Sequence, residues 1–254
     1  MSSNIDPLFQ RLALITGEAV LEKLWRTAVL VFGLGGVGSW CAEALVRSGV
    51  GRIGIVDCDT VCASNVNRQV QASSRTLGRG KAEALRERLL EINPRCEVAA
   101  RETIFSRENA ANFGIGQADY VIDAIDTMPH KLDLIETAYA AGVCLFSSMG
   151  MAQKIDPTRI RTAGIWDTRG CPLARLVRSG LRRRGFAGSF TAVYSDERLP
   201  RRDEIVVGGE DAEQQPGGSK IINGSAVTVT ASAGMALAAL VLSGIINEKQ
   251  DINE

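Results

Sequence analysis

The chain has 254 residues, with 29 Lys plus Arg against 29 Asp plus Glu, so its net charge is zero. Hydrophobic residues make up 45% and charged residues 23%, which excludes wholesale disorder and leaves ample apolar surface for a core. Neutrality excludes a general attraction to nucleic acid, which must then come from a local patch, and 5% aromatics disfavours a base-stacking platform.

Residues 1–26 read as a helical N-terminal segment. Their start has neither a basic region nor an apolar run of the kind that directs export. Six cysteines (Cys41, Cys58, Cys62, Cys96, Cys144, Cys171) form no CxxC pair. Reduced thiols and a cytoplasmic location are expected, with the cysteines other than Cys62 and Cys171 buried as packing. An apolar strand at 27–32 is closed by Gly33-Leu-Gly-Gly-Val-Gly38; a helix follows at 39–48 and a second strand at 52–57, ending in Asp57. Strand, glycine turn, helix and strand make a βαβ unit. Residues 81–92 carry a helical pattern stopped by Asn93-Pro94. A third clear strand at 119–123, a helix at 129–141 and a strand at 143–147 continue the alternation. The expected fold class is α/β, Rossmann-like and doubly wound, with a mainly parallel sheet and helices on both faces.

After residue 150 the pattern changes. Strands are expected at 159–163 and 190–194, a helix at 171–184, and a loop at 208–218. Residues 225–246 are apolar and nearly long enough to span a bilayer, but polar residues and glycines interrupt them (Thr228, Thr230, Ser232, Gly234, Ser243, Gly244) and no basic cluster flanks them. A core or dimer-interface helix is expected there, without membrane insertion. One domain over 1–254 is the simplest account, with a nucleotide-binding core at 27–150, an insertion at 151–218, and a strand and helix at 219–254.

Gly33, Gly35, Gly36 and Gly38 follow a strand and open a helix, so the backbone can turn tightly against a phosphate at a helix N-terminus. Asp57 is placed to accept hydrogen bonds from ribose hydroxyls. Taken alone, this says nucleotide and does not separate NAD from ATP. Arg68 and Lys81 suit a triphosphate, and Asp123 and Asp126, at the end of the third strand, suit Mg2+ with its preference for hard oxygens.

These residues carry a resemblance. The stretch from Arg11 to Pro94, with the turn, Ser64-Asn-Val-Asn-Arg-Gln69, Gly78-Arg-Gly-Lys81 and Val121-Ile-Asp-Ala-Ile-Asp126, resembles the adenylating superfamily of MoeB, ThiF and the ubiquitin-activating enzymes. The resemblance implies ATP-dependent adenylation of a carboxylate. It makes Asp57 the ribose ligand, with Asp59 beside it in the nucleotide site, and Asn65, Arg68 and Lys81 the phosphate contacts. It makes Asp126 the Mg2+ ligand and Arg11 the arginine that reaches the other subunit's ATP in a homodimer. With only Cys171 following Cys144, the second half cannot supply the four-cysteine zinc site found in relatives that activate sulfur carriers, so no zinc is expected.

The wording of 37–45, 57–69, 121–127, 154–160 and 171–186 is similar to the tRNA threonylcarbamoyladenosine dehydratase branch. That branch implies tRNA bearing threonylcarbamoyladenosine as substrate, its carboxylate activated and its ring closed with release of AMP and pyrophosphate. It also allows a cysteine-desulfurase sulfur-transfer partner, and it makes 151–218 the tRNA-facing part. A tRNA surface is expected from the arginines of 159–184, opposed there only by Asp167, with Arg175, Arg178, Arg182 and Arg183 as its candidates. His130 reads as a surface residue at a helix start. Cys171 reads as a small residue at a helix N-terminus, with thiolate chemistry as the alternative. The alternative function is adenylation of the C-terminal Gly-Gly of a ubiquitin-like sulfur carrier. An NAD-dependent dehydrogenase would leave Arg68, Lys81 and Asp126 idle, and a non-catalytic tRNA-binding dimer would have no use for them.

Overall fold

A computed structural model describes residues 5–198 and 224–247. The loop expected at 208–218 and the strand expected just after 219 lie outside the described residues.

Two short helices, α1 (Gln10–Thr16) and α2 (Glu18–Arg26), meet at Gly17, whose φ of 83° breaks the helix. The alternating core then runs β1 (Ala28–Phe32), α3 (Gly38–Arg47), β2 (Arg52–Val56), α4 (Lys81–Ile92), β3 (Glu97–Arg101), β4 (Tyr120–Asp123), α5 (Met128–Ala140) and β5 (Cys144–Ser148). The chain continues through β6 (Ile160–Gly164), α6 (Pro172–Arg183), β7 (Thr191–Ser195) and α7 (Val227–Asn247). The seven strands lie in the order β3-β2-β1-β4-β5-β7-β6. Every pairing is parallel except β6 with β7.

Side chains alternate across the strands. Val29, Val31, Ile53, Ile55 and Ile122 pack on one face with α3, α4 and α7. Phe32, Val56 and Val121 pack on the other with α5 and α6. Phe32 anchors an aromatic cluster there, its ring centroid 5.2 Å from Phe105 and 5.4 Å from Phe113. Both faces are covered, as a parallel sheet requires. Helix α7 is long and apolar enough to cross a membrane. In this fold it lies on α3 and buries Val229, Ala233, Leu237, Val241 and Ile245, one residue per turn. The approach is close because Gly234 is a glycine: a Cβ there would sit 2.5 Å from the Val37 carbonyl oxygen.

The register decides where a ligand can bind. Phe32 is paired with both Val56 and Asp123, and Asp123 with Ser147, so β1, β2, β4 and β5 end level with one another. The chain leaves β1 for its neighbour β2 and leaves β4 for β5 on the opposite side, and this divergence opens a crevice at the carboxyl ends of β1 and β4.

The sequence reading differs from the structure at one strand and at two cysteines. Strand β3 is absent from it, and the third clear strand is in fact β4, the fourth along the chain. Cys58 and Cys144 are exposed rather than buried, whereas Cys41, Cys96 and Cys171 are buried, and none of the six forms a disulfide among the described residues. Burial pushes the Cys96 thiol up to about 11.

Candidate active site

The glycine turn fills the crevice mouth. Gly33 has φ of 86° and donates its N–H to the Val56 carbonyl at 2.9 Å. The turn closes on itself, since a Cβ on Gly38 would lie 1.9 Å from the Gly33 oxygen. At Gly35 a Cβ would meet nothing within 4 Å, so this part of the turn faces open space. Such a cradle, with the N-terminus of α3 behind it, fits a phosphate chain.

Asp57 stands just past β2 and is half-buried. Its Oδ2 accepts the Leu34 N–H at 2.6 Å and its Oδ1 the Asp59 N–H at 2.9 Å. One backbone bond on each oxygen fixes the carboxylate and leaves lone pairs for two ribose hydroxyls. Burial raises its pKa, opposed by the charge of Lys81 and by the two N–H bonds. Lys81 opens α4 with its side chain 8% exposed, and its Nζ lies 2.7 Å from Asp59 Oδ2. Asp59 therefore enters the site as the counter-ion that aims Lys81.

Arg68 reaches the turn from the segment after β2. A Cβ on Gly36 would meet its Cγ at 3.2 Å. Its Nη1 donates to the Ser64 carbonyl at 2.8 Å and to Asn67 Oδ1 at 3.0 Å. Asn65 is buried, and its Oδ1 accepts the Cys62 N–H at 3.1 Å. That bond caps the 3-10 turn Ala63–Asn65 and engages the carbonyl, while the side-chain NH2 is the group that would donate to a phosphate.

Asp126 lies in the loop between β4 and α5, exposed, with Thr127 Oγ1 at 3.3 Å. The loop packs on the turn: a Cβ on Gly33 would meet the Ala124 oxygen at 2.6 Å. An exposed carboxylate beside a phosphate cradle suits Mg2+. Asp123 does not share that role. It is fully buried, with Lys131 Nζ at 2.8 Å and Ser147 Oγ at 2.6 Å. Among the described residues, the one cluster of three metal-type side chains is Asp57, Cys58 and Asp59, whose two carboxylates are already engaged as above.

The sequence alone assigns no role to three supporting residues, although Ser39 and Trp40 lie within the 37–45 stretch. Trp40 Nε1 holds the Arg68 carbonyl at 2.9 Å, Ser39 Oγ accepts the Val70 N–H at 3.3 Å, and buried Gln71 Nε2 holds the Leu34 carbonyl at 2.9 Å. Only their nearness to the turn and to Arg68 in the chain could have flagged them.

Arg11 is exposed on α1, beside Leu14 and Ile15, which are 77% and 84% exposed. Its neighbour Phe9 rests on Gly49, past the C-terminus of α3. The glycine turn lies at the other end of that ten-residue helix, about 15 Å away. Arg11 is thus based at the wrong end of α3 to meet its own chain's turn.

The arginine-rich region is more evenly balanced than its sequence suggests. Arg184 pairs with Asp133 at 2.7 Å and Glu136 at 3.0 Å, and Arg159 with Asp196 at 2.8 Å. Carboxylates from outside 159–184 therefore balance part of that charge, beyond the Asp167 within it. Arg178 is half-buried and bonds the Thr168 carbonyl and hydroxyl, so it buttresses α6 instead of presenting a free charge. The Arg182 guanidinium covers the Trp166 ring at 5.2 Å but remains exposed. Arg175 and Arg183 are exposed and have no ion pair among the described residues. His130 is half-buried rather than a surface residue, its Nδ1 unpartnered among the described residues.

Comparison with known proteins agrees with this geometry. The ThiF family profile matches residues 9–251. A Bacillus subtilis tRNA threonylcarbamoyladenosine dehydratase is 42% identical over 208 residues, covering 81% of this chain and 82% of that protein. The Escherichia coli enzyme of the same name is 38% identical over 67% of this chain and 63% of its own length. A crystal structure of the E. coli dehydratase in complex with ATP superposes with a TM-score of 0.83 at 32% identity, covering 96% of this chain and 95% of that one. Its AMP complex gives 0.84 at the same identity, covering 98% and 100%. The chain belongs to the ThiF family and groups within it with the tRNA threonylcarbamoyladenosine dehydratases.

Proposed function

We propose that this chain is an ATP-dependent tRNA threonylcarbamoyladenosine dehydratase that activates the threonyl carboxylate of the modified adenosine by adenylation. The observation that carries this reading is the convergence of the glycine turn, Arg68, Asp57 with Lys81, and the Asp126 loop at the carboxyl ends of the central strands. It is supported by likeness to a dehydratase that binds ATP and AMP.

The turn and the α3 N-terminus take the phosphates, and Asp57 takes the ribose. A substrate carboxylate oxygen attacks the α-phosphorus in line, and pyrophosphate leaves. Arg68 and Lys81, with Arg11 from a second copy, stabilise the charge that builds there. Asp126 would hold Mg2+, which neutralises phosphate charge when bound. The acyl adenylate is then attacked at its carbonyl by a group already in the substrate. AMP leaves with the carboxylate oxygen, so the nucleoside loses one water. No protein nucleophile is required, consistent with Cys171 being 4% exposed at the α6 N-cap. The thioester chemistry of the sulfur-carrier alternative, or of a cysteine-desulfurase partner, gains nothing from so buried a thiol.

We assign tRNA contact to Arg175, Arg182 and Arg183 and place the enzyme, as a homodimer without zinc, in the cytoplasm. The test is AMP formation from ATP and Mg2+ with and without tRNA bearing threonylcarbamoyladenosine, followed by the mass of the nucleoside. Loss of one water, abolished by Lys81→Ala and Asp126→Ala, is expected. Unchanged nucleoside, with AMP formed only when a Gly-Gly carrier protein is added, would overturn it.

A further inference from the structure

We propose that Lys131, acting through Asp123 with Ser147, is a positioning residue that sets the Asp126 loop against the glycine turn so that its carboxylate can hold the nucleotide's divalent cation. The inference rests on the assignment of that cation to Asp126.

Lys131 lies in the first turns of α5 and Asp123 ends β4, with the Asp126 loop between them. Both side chains are fully buried. Lys131 Nζ lies 2.8 Å from Asp123 Oδ2 and donates to the Ile125 carbonyl at 2.9 Å. Asp123 Oδ1 accepts the Ile125 N–H at 3.1 Å. Ser147, on β5, donates to Asp123 Oδ2 at 2.6 Å. The Ile125 residue is thus gripped by its N–H and by its carbonyl. The preceding Ala124 is tied by its N–H to the Phe32 carbonyl at 2.8 Å, and its own carbonyl lies against Gly33. Asp126 is the next residue along, so its backbone has little freedom.

A buried ion pair is a poor source of net stability, because desolvation of both charges offsets their attraction. An apolar pair would fill the space as well. What an apolar pair cannot do is bond both polar groups of the Ile125 backbone. The Lys131–Asp123 pair does so one residue before the carboxylate that faces the phosphates. It orients a metal-ligand loop from behind, as hydrogen-bond partners of ligands do elsewhere.

The experiment uses the full-length chain with Mn2+ as the probe and a non-hydrolysable ATP analogue. Free Mn2+ is followed by electron paramagnetic resonance. Asp126→Ala sets the scale for loss of the ligand. Ser147→Ala removes one bond from the network, and the neutral pair Asp123→Asn with Lys131→Met removes the charges together, so that neither is left alone in the core. Both are expected to weaken Mn2+ binding about tenfold and to raise the Mg2+ needed for half-maximal AMP formation. Analogue binding without metal should hold, and Lys131→Arg should recover part of the Mn2+ affinity. Lower melting temperatures with unchanged Mn2+ binding would reduce the pair to a structural role and overturn the proposal. Unchanged Mn2+ binding in Asp126→Ala would instead overturn the cation assignment itself.

Discussion

Asp57 illustrates how one side chain serves the ligand at some expense to the free fold. Its carboxylate is held by the Leu34 and Asp59 N–H groups, as the proposed ribose contact would need, yet burial raises its pKa above the ordinary 3.8. The folded chain therefore keeps this proton to a higher pH than the unfolded chain does. Between the two pKa values the unfolded state has fewer bound protons, so stability contributed by Asp57 is present below 3.8 and is lost as pH rises through the folded pKa. Asp57→Asn should remove that slope. In urea unfolding followed upward from about pH 3.8, the wild-type chain should lose stability relative to Asp57→Asn as pH increases. The amide also misaligns one backbone N–H, but that penalty does not change with pH and shifts only the level. Parallel curves would show that the charge of Lys81 and the backbone bonds outweigh burial. Loss of a ribose acceptor should also weaken ATP binding about tenfold.

At the scale of elements, the sequence reveals whatever depends on local pattern. Helix α4 is found at 81–92 because its apolar spacing is clear and Pro94 stops it. Strand β3 is missed because Glu97-Val-Ala-Ala-Arg101 is a half-exposed edge strand paired only with β2, with few β-forming side chains. The site divides in the same way. The glycine turn and Asp57 are legible from spacing, whereas which of Asp123 and Asp126 turns inward depends on Lys131 and Ser147, which no motif connects. Arg184, just past α6, is likewise visible as a charge but not as a partner, since Asp133 and Glu136 come from α5. That distinction is testable. Charge reversal at Arg175 and Arg183 together should weaken tRNA binding at least about tenfold in moderate salt while leaving ATP binding intact. Arg178→Ala should act differently, lowering stability by about 1–3 kcal/mol through the lost Thr168 bonds with little change in tRNA affinity. Unchanged tRNA affinity after the Arg175 and Arg183 reversal, measured by filter binding, would remove α6 from the interface.

The whole molecule poses the question of how many chains make one site. Helix α1 displays Leu14 and Ile15 to solvent and carries Arg11, while its base is packed near the end of α3 far from the glycine turn. Exposed apolar residues around an exposed arginine fit a face covered by a second copy, and two-fold symmetry would then carry each Arg11 toward the other chain's phosphates. A mixing experiment separates this arrangement from one in which each chain is self-sufficient. Arg11→Ala lacks the donated arginine, and Lys81→Ala lacks the receiving site, so each homodimer should be inactive. In a heterodimer, the Arg11→Ala chain retains Lys81 and is offered an intact Arg11 by its neighbour, which restores one of the two sites. Equal amounts of the two chains, unfolded together and refolded, give heterodimers in about half of the pairs, so activity should recover to about a quarter of wild type. If Arg11 served its own chain, no site in the mixture would hold both residues. Activity would then stay at the level of the separate variants, however completely the subunits exchanged.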